Sequence, residues 1–223
     1  MRVGFVVAME EEYAPFLSLL GNFVSEEKIC GISFCVFSRN DREIVLAKSG
    51  IGCIAASAAT SLLIGHFCCG FIVNYGLVGA LSALPAASLV AVKDVVHYDA
   101  DLTAFGAPLG APADFGYPYF CADDRALSLL CEGGLPSLRL ASGDKFIADS
   151  SLKNRLIFDF SADVCDMEGA GIALTCARAD VPFCMVKAVS DDAGENAVAT
   201  FSESKGKRFN AAVSLLLSVI DKV

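Results

Sequence analysis

Between Lys48 and Lys93 the chain carries no formally charged residue, and in all its 223 residues it has two histidines, no C-x-x-C pair and no cluster of basic side chains. Each absence excludes something. Zinc sites want paired Cys and His ligands at short spacing, and His66 and His97 are the only imidazoles, so the ten cysteines read as small buried hydrophobes of a reducing cytoplasm and no metal is expected. The 17 basic residues are scattered and outnumbered by 26 acidic ones, for a formal charge of -9, which argues against nucleic acid or an anionic membrane surface as partner. The uncharged run is long enough to raise a membrane span at Ile51 to Val73, since about 20 apolar residues suffice. Gly65, His66 and Gly70 interrupt it, however, Ser57, Thr60 and Ser61 dot it, and no basic cluster flanks it, so no span is expected. The apolar run at the N-terminus is too short for a signal sequence and ends in three glutamates instead of a small-residue cleavage site. With no repeat and no linker, residues 1–223 read as one cytoplasmic domain.

What is present is apolar: 55% hydrophobic against 19% charged residues suggests a large sheet buried on both faces. Arg2 to Ala8 reads as a central strand, with Glu10, Glu11 and Glu12 opening a helix after it. Three acids in a first turn complement the helix dipole, and because successive residues turn by about 100° one of them can face a crevice while the others face water. Glu26 to Lys48 reads as two antiparallel strands around the turn Arg39-Asn40-Asp41-Arg42, ending in the small loop Ser49-Gly50-Ile51-Gly52 before a helix. Phe71 to Asn74 and Leu89 to Val92 are further strands, HYDADLTAFG at 97 to 106 is a loop or an interface, and Gly110 to Tyr119 is a surface excursion. A helix at Asp123 to Cys131, a short strand at Leu138 to Ala141 and an amphipathic helix over Phe201 to Val223 complete the chain.

The stretch from Asp166 to Asp192 organises the rest. It reads as a strand end carrying Met167 and Glu168, a helix of small residues, and a buried strand from Val181 to Val189 that ends in Ser190 and Asp191. In a parallel α/β sheet ligands sit beyond the strands' carboxyl ends, so an acid after V-K-A-V-S is placed for chemistry. The same Ser-Asp pair would also serve as a helix cap or a turn.

A-M-E-E-E at 8 to 12, K-S-G-I-G at 48 to 52, D-A-D-L-T-A-F-G at 99 to 106, S-G-D-K-F-I at 142 to 147, D-M-E-G-A-G and V-S-D run in one order and spacing. In that combination the chain resembles the 5'-methylthioadenosine/S-adenosylhomocysteine nucleosidases of the nucleoside phosphorylase superfamily over nearly its whole length. The resemblance implies a three-layer α/β sandwich with a twisted mixed central sheet flanked by helices, a homodimer, a place in methionine salvage, and hydrolysis of the bond between adenine N9 and ribose C1' without cofactor or metal. By motif, Glu12 is the base on the attacking water, Asp191 the acid that protonates adenine N7, and Glu168 the holder of the ribose hydroxyls. Phe146 stacks on the base, Ile147 offers its backbone to it, Met167 presses on the ribose, Ser190 orients Asp191, and Phe201 closes the pocket near the 5' group. Leu102 and Phe105 reach into the partner subunit's pocket. For Met167, Ile147 and Phe201 plain core packing is an equal reading.

The chain departs from the family at three places. Leu77, in Y-G-L-V-G-A, stands where a serine usually helps position the water; Lys187 stands where an arginine is usual; and S-A-L-P-A-A-S follows Leu81 in place of the usual Val-Gly-Asp. Breaking a glycosidic bond through an oxocarbenium-like state needs two carboxyl groups of opposite protonation. Burial after an apolar strand raises the pKa of Asp191, while Glu12 at a helix start is expected to stay ionised. A purine nucleoside phosphorylase and a hydrolase of a related nucleoside such as futalosine are the alternative activities, and a binding protein without catalysis is a third. Phosphate calls for convergent basic groups, and Lys187 is the one candidate in the strand-end segments.

Overall fold

The computed structural model describes residues 2–204 and 209–223. Its central strand, β1 (Arg2–Val7), pairs in parallel with β4 (Arg42–Lys48) on one side and β5 (Phe71–Ala80) on the other. Alternation along β1 sorts its side chains: Val3, Phe5 and Val7 enter one apolar cluster and Val6 the other, with Gly4 facing the second layer as well. The first cluster is covered by α1 (Glu10–Leu17), α3 (Asp124–Glu132) and α7 (Phe209–Ile220). The second is covered by α2 (Cys53–Gly65) and α5 (Gly169–Ala179). The mixed sheet thus lies between two helical layers, the sandwich expected.

One half of that sheet closes on itself. From β5 the hydrogen bonds run to β10 (Phe183–Asp191), then β6 (Leu89–His97), β8 (Ser137–Ser142) and β9 (Val164–Asp166), and β9 pairs back onto β5 at Gly79 and Ala80. The short strand β7 (Tyr119–Cys121) adds to β6. A third apolar cluster, with Leu81, Val96, Tyr98, Ala141, Ile147, Cys165 and Ala193, sits where these strands end and takes in Leu156 and Phe160 of α4 (Ser150–Phe160).

Several elements differ from the sequence reading. Residues 22 to 48 hold three strands, because β2 (Asn22–Ile29) precedes β3 (Ile32–Arg39). The turn between them, Cys30-Gly31, has both residues at positive φ, 50° and 82°, as Asn40 and Asp41 do in the next hairpin at 46° and 59°. The strand expected at Phe71 to Asn74 runs on to Ala80, that at Leu89 runs to His97, and α4 was not read from the sequence at all. Two helices, α6 (Ala197–Ser204) and α7, replace the single one expected from Phe201 to Val223, and positions 205–208 of it lie outside the described residues. The uncharged run divides between α2 and β5, and among the described residues no helix is long and apolar enough to cross a membrane.

The small residues of α5 have a steric cause. A Cβ on Gly171 would lie 2.1 Å from the carbonyl oxygen of Cys53, so the two helices cross backbone against side-chain-free backbone, and Ser57 and Thr175 join their hydroxyls at 2.7 Å beside the crossing. Gly171→Ala is expected to force α2 and α5 apart, at about 1–3 kcal/mol for overpacking. In a chain of this size that is a Tm fall of roughly 3–10 °C, and an unchanged melting curve would show that the helices already stand clear of each other.

Candidate active site

A cavity of about 390 Å³ opens where the carboxyl ends of β1, β5, β9 and β10 converge. Its lining joins segments far apart in sequence: Ala8, Met9 and Glu12, Ile51, Leu77 to Gly79, Lys145 to Ile147, Cys165 to Glu168, Ser190, Asp191 and Phe201. The size suits a small organic ligand, and most of the wall is apolar.

Glu12 is the third residue of α1, and its side chain turns back to the helix start, where one oxygen accepts from the Ala8 and Met9 N–H groups at 2.8 and 3.0 Å. The other accepts from the Leu77 N–H at 3.1 Å. Glu10 and Glu11 are exposed, so the three glutamates divide as their helical angles require. Burial pushes the Glu12 carboxyl above its ordinary value, against the pull of the Met9 and Ala8 N–H groups, the Lys187 ammonium and the Leu77 N–H.

Glu168 stands at the start of α5 and accepts from the Gly52 N–H, at the start of α2, at 2.9 Å. Asp166 and Glu168 thus hold the first turns of two helices, since Asp166 accepts from the Gly169 N–H at 3.1 Å and Ser142 from the Ala170 N–H at 2.8 Å. Burial first, and then the Asp166 charge, push the Glu168 carboxyl up to about 7.

Asp191 closes β10 and is 5% exposed. Its Oδ2 accepts from the Ser190 hydroxyl at 2.6 Å and its Oδ1 from the Ala193 N–H at 2.9 Å. Burial raises its pKa, opposed by those two donors. Phe146 and Phe201 meet edge to face at 5.7 Å across the mouth, and Ile147 is buried behind them.

Ten of the twelve residues named from sequence therefore lie at or just beneath this cavity, and two do not. Lys187 is the one beneath: it has no exposed surface, is absent from the lining, and its ammonium lies 2.5 Å from Asp166 Oδ2. Grouping it with the substrate-binding residues needs that correction, because a side chain inside β10 points below the floor. Leu102 and Phe105 sit on a separate loop whose single 3₁₀ turn, Thr103–Phe105, is fixed by Asp101, and Phe105 is 87% exposed. The sequence reading missed Asp166, Cys165 and Lys145, each within two positions of a residue it did name, and Ile51, which comes from the loop before α2. Gly76 also has a local reason, since a Cβ there would lie 3.3 Å from both Glu12 Oε1 and Lys187 Nζ.

The Glu168 electrostatics carry a sign. A carboxyl whose folded pKa is raised binds its proton more tightly when folded, so folding stability is lost as pH rises from its ordinary 4.5 to about 7. Glu168→Gln is therefore expected to melt higher than the parent at pH 8 and not at pH 5. The same melting difference at both values would show that Glu168 titrates normally.

Comparison with known proteins gives this geometry a family. Residues 2–223 match the sequence profile of the Phosphorylase superfamily. The 5'-methylthioadenosine/S-adenosylhomocysteine nucleosidase of Shewanella sediminis is 30% identical over 233 residues, covering all of both chains, and that of Shewanella oneidensis is 33% identical over 90% of this chain and 88% of its own. A Helicobacter pylori nucleosidase of this kind, solved as a mutant with 5'-methylthioadenosine in the active site, superposes with a TM-score of 0.94 at 29% identity, covering 100% of this chain and 99% of its own. Futalosine hydrolase of the same species superposes with a TM-score of 0.93 at 29% identity, covering 100% and 98%. The chain belongs to the phosphorylase superfamily and, within it, to the 5'-methylthioadenosine/S-adenosylhomocysteine nucleosidases.

Proposed function

We propose that this cavity hydrolyses the N-glycosidic bond of 5'-methylthioadenosine and S-adenosylhomocysteine, releasing adenine and the 5-thioribose product. The observation that carries the reading is the pair Glu12 and Asp191 in one cavity, both pushed upward by burial but held by different donors. Water adds to C1' and gives a proton to Glu12, while the bonding pair of C1'–N9 moves onto the purine, which takes the Asp191 proton at N7. Glu168 accepts from the ribose hydroxyls and Met167 packs on the sugar. Phe146 stacks on the base, Ile147 meets its edge through the backbone, and Phe201 closes over the 5' group. Ser190 orients Asp191, and Leu77 serves Glu12 through its N–H, a contact that does not need a serine. Lys187 acts from below, as the counter-charge of Asp166 and Glu12. Two proton transfers between carboxyl groups and the substrate account for the chemistry, so no cofactor or metal is assigned.

Hydrolysis is favoured over phosphorolysis by charge. Phosphate at C1' would face Glu12, Glu168 and Asp191, while Lys187 is engaged with Asp166 and, among the described residues, Lys145 is the one cationic side chain in the lining. Futalosine remains the competing substrate. Incubation with methylthioadenosine, S-adenosylhomocysteine, inosine and futalosine, with and without phosphate, is expected to release adenine from the first two and to be indifferent to phosphate. Release from futalosine alone would reassign the substrate.

Residues 1–223 are taken as one cytoplasmic domain acting in methionine salvage. The ten free cysteines suit a reducing compartment. The working unit is a homodimer. Phe105, Ile51 and Ile54 are 87%, 59% and 82% exposed, an apolar set that a second copy would cover, bringing Leu102 and Phe105 to its partner's pocket.

Two outcomes are expected. Asp191→Asn should keep the fold and lose about 10²- to 10⁴-fold in rate, the usual effect of removing a general acid; more than about a tenth of parental activity would take Asp191 out of the mechanism. Phe105→Asp should give monomers of little activity by light scattering and assay, since an unpaired charge would enter the interface. A parent protein that is monomeric at micromolar concentration and fully active would return Phe105 to the role of a solvent-exposed loop residue.

A further inference from the structure

The turn that follows Asp191 is strained and tied down from outside. Ala193 is fully buried and adopts φ of 52°, in the left-handed region that favours glycine, and it is the N–H of this residue that reaches Asp191 Oδ1. Asp192 Oδ1 accepts from the Gly194 N–H at 3.1 Å, which tightens the turn without fixing it to the body of the protein. The fixing comes from the first turn of α4. Lys153 Nζ donates to the carbonyl oxygen of Asp192 at 2.5 Å, and interaction with Ser150 draws the nearby Glu195 carboxyl below its ordinary value. A carboxylate at a helix start satisfies donors that the helix leaves unpaired. α4 also follows directly on Phe146 and Ile147, so the segment assigned to the base and the segment assigned to the acid are fastened to one helix end.

We propose that Lys153 is a positioning residue for the acid: its ammonium clamps the turn that follows Asp191 by bonding the Asp192 carbonyl, and so brings a positive charge to that segment. The inference rests on Asp191 acting as the proton donor. When Asp191 passes its proton to the purine it is left as an anion, and a neighbouring cation stabilises that anion. Among the described residues, Asp192 from its own segment and Cys165 from β9, whose thiol burial pushes upward, also act on Asp191, and Lys145, Glu12, Asp166 and Glu168 line the same cavity; Lys153 is the cation that bonds the turn itself. Burial raises the Asp191 pKa most and the Ser190 and Ala193 donors oppose it; Asp192 adds to the rise and Lys153 draws it down.

The test compares Lys153→Met, Lys153→Arg and Asp191→Asn in the full chain, by kcat, KM and the pH profile of kcat. Activity requires protonated Asp191 and so falls as pH rises through its pKa. Without the ammonium that pKa rises, so Lys153→Met should lower kcat on the order of tenfold, a fraction of the full effect of a general acid, with little change in KM, and should move the alkaline limb to higher pH. Lys153→Arg should restore both. A silent Lys153→Met beside an inactive Asp191→Asn overturns the clamp and leaves the acid in place. A fall in kcat with an unmoved alkaline limb makes Lys153 a structural tie and also overturns it. Full activity in Asp191→Asn would remove the acid itself and the clamp with it.

Discussion

Lys187 has no exposed surface and lies 2.5 Å from Asp166, so the carboxylates of this cavity gather around a positive charge that water does not screen. A lone ammonium in that position would be expelled or neutralised, and three neighbouring carboxylates without it would repel one another. The pair makes both tolerable. Its consequences reach each end of the site: the ammonium holds down the pKa of Glu12 and Glu168, and Asp166, with its charge matched, is free to accept from the first N–H groups of α5. Gly76 is part of the same constraint, because its missing side chain is the space in which Glu12 and Lys187 approach.

Helix starts provide the remaining positive potential. Glu12 folds back onto the beginning of α1, Glu168 bridges to the beginning of α2, and Asp144 accepts from the Cys53 N–H at 2.7 Å on the same turn. Acids at such positions are favoured by unpaired N–H groups and by the dipole. This is how an acidic chain concentrates carboxylates in one crevice without a matching cluster of arginines.

Legibility from sequence followed how local the cause was. β1 and β10 are continuous apolar runs buried on both faces, and their pattern shows it, as does the acid at the end of β10. β2 was missed because it is an edge strand exposed along almost its whole length, and Glu26, Glu27 and Lys28 hide it from any apolar pattern while guarding the edge against pairing. Its Cys30-Gly31 turn was the available signal. The motifs located Glu12, Glu168 and Asp191, but not the direction of Lys187, which depends on strand register, nor the bond from Glu168 to Gly52, which spans 116 positions. Asp166 carried no mark of its own, since an acid before Met-Glu-Gly reads equally as a turn residue.

Burial pushes both Glu12 and Asp191 upward, and what separates them in the proposed reaction is the number and kind of their donors. Glu12 accepts from three backbone N–H groups that have no proton to take back, so its anion is the form they satisfy. Asp191 has one such donor, Ala193, and a hydroxyl, and the Ser190 hydroxyl lies within reach of two acceptors, Val78 O at 3.1 Å and Asp191 Oδ2 at 2.6 Å, with one proton to give. With Asp191 ionised, that proton goes to Oδ2. With Asp191 protonated on Oδ2, the carboxyl donates to Ser190 and Ser190 donates to Val78, so the neutral acid leaves no polar atom of the chain unpaired. The site can therefore hold a proton on Asp191 at no loss of hydrogen bonds and cannot do the same on Glu12, which supports the proposed division into acid and base.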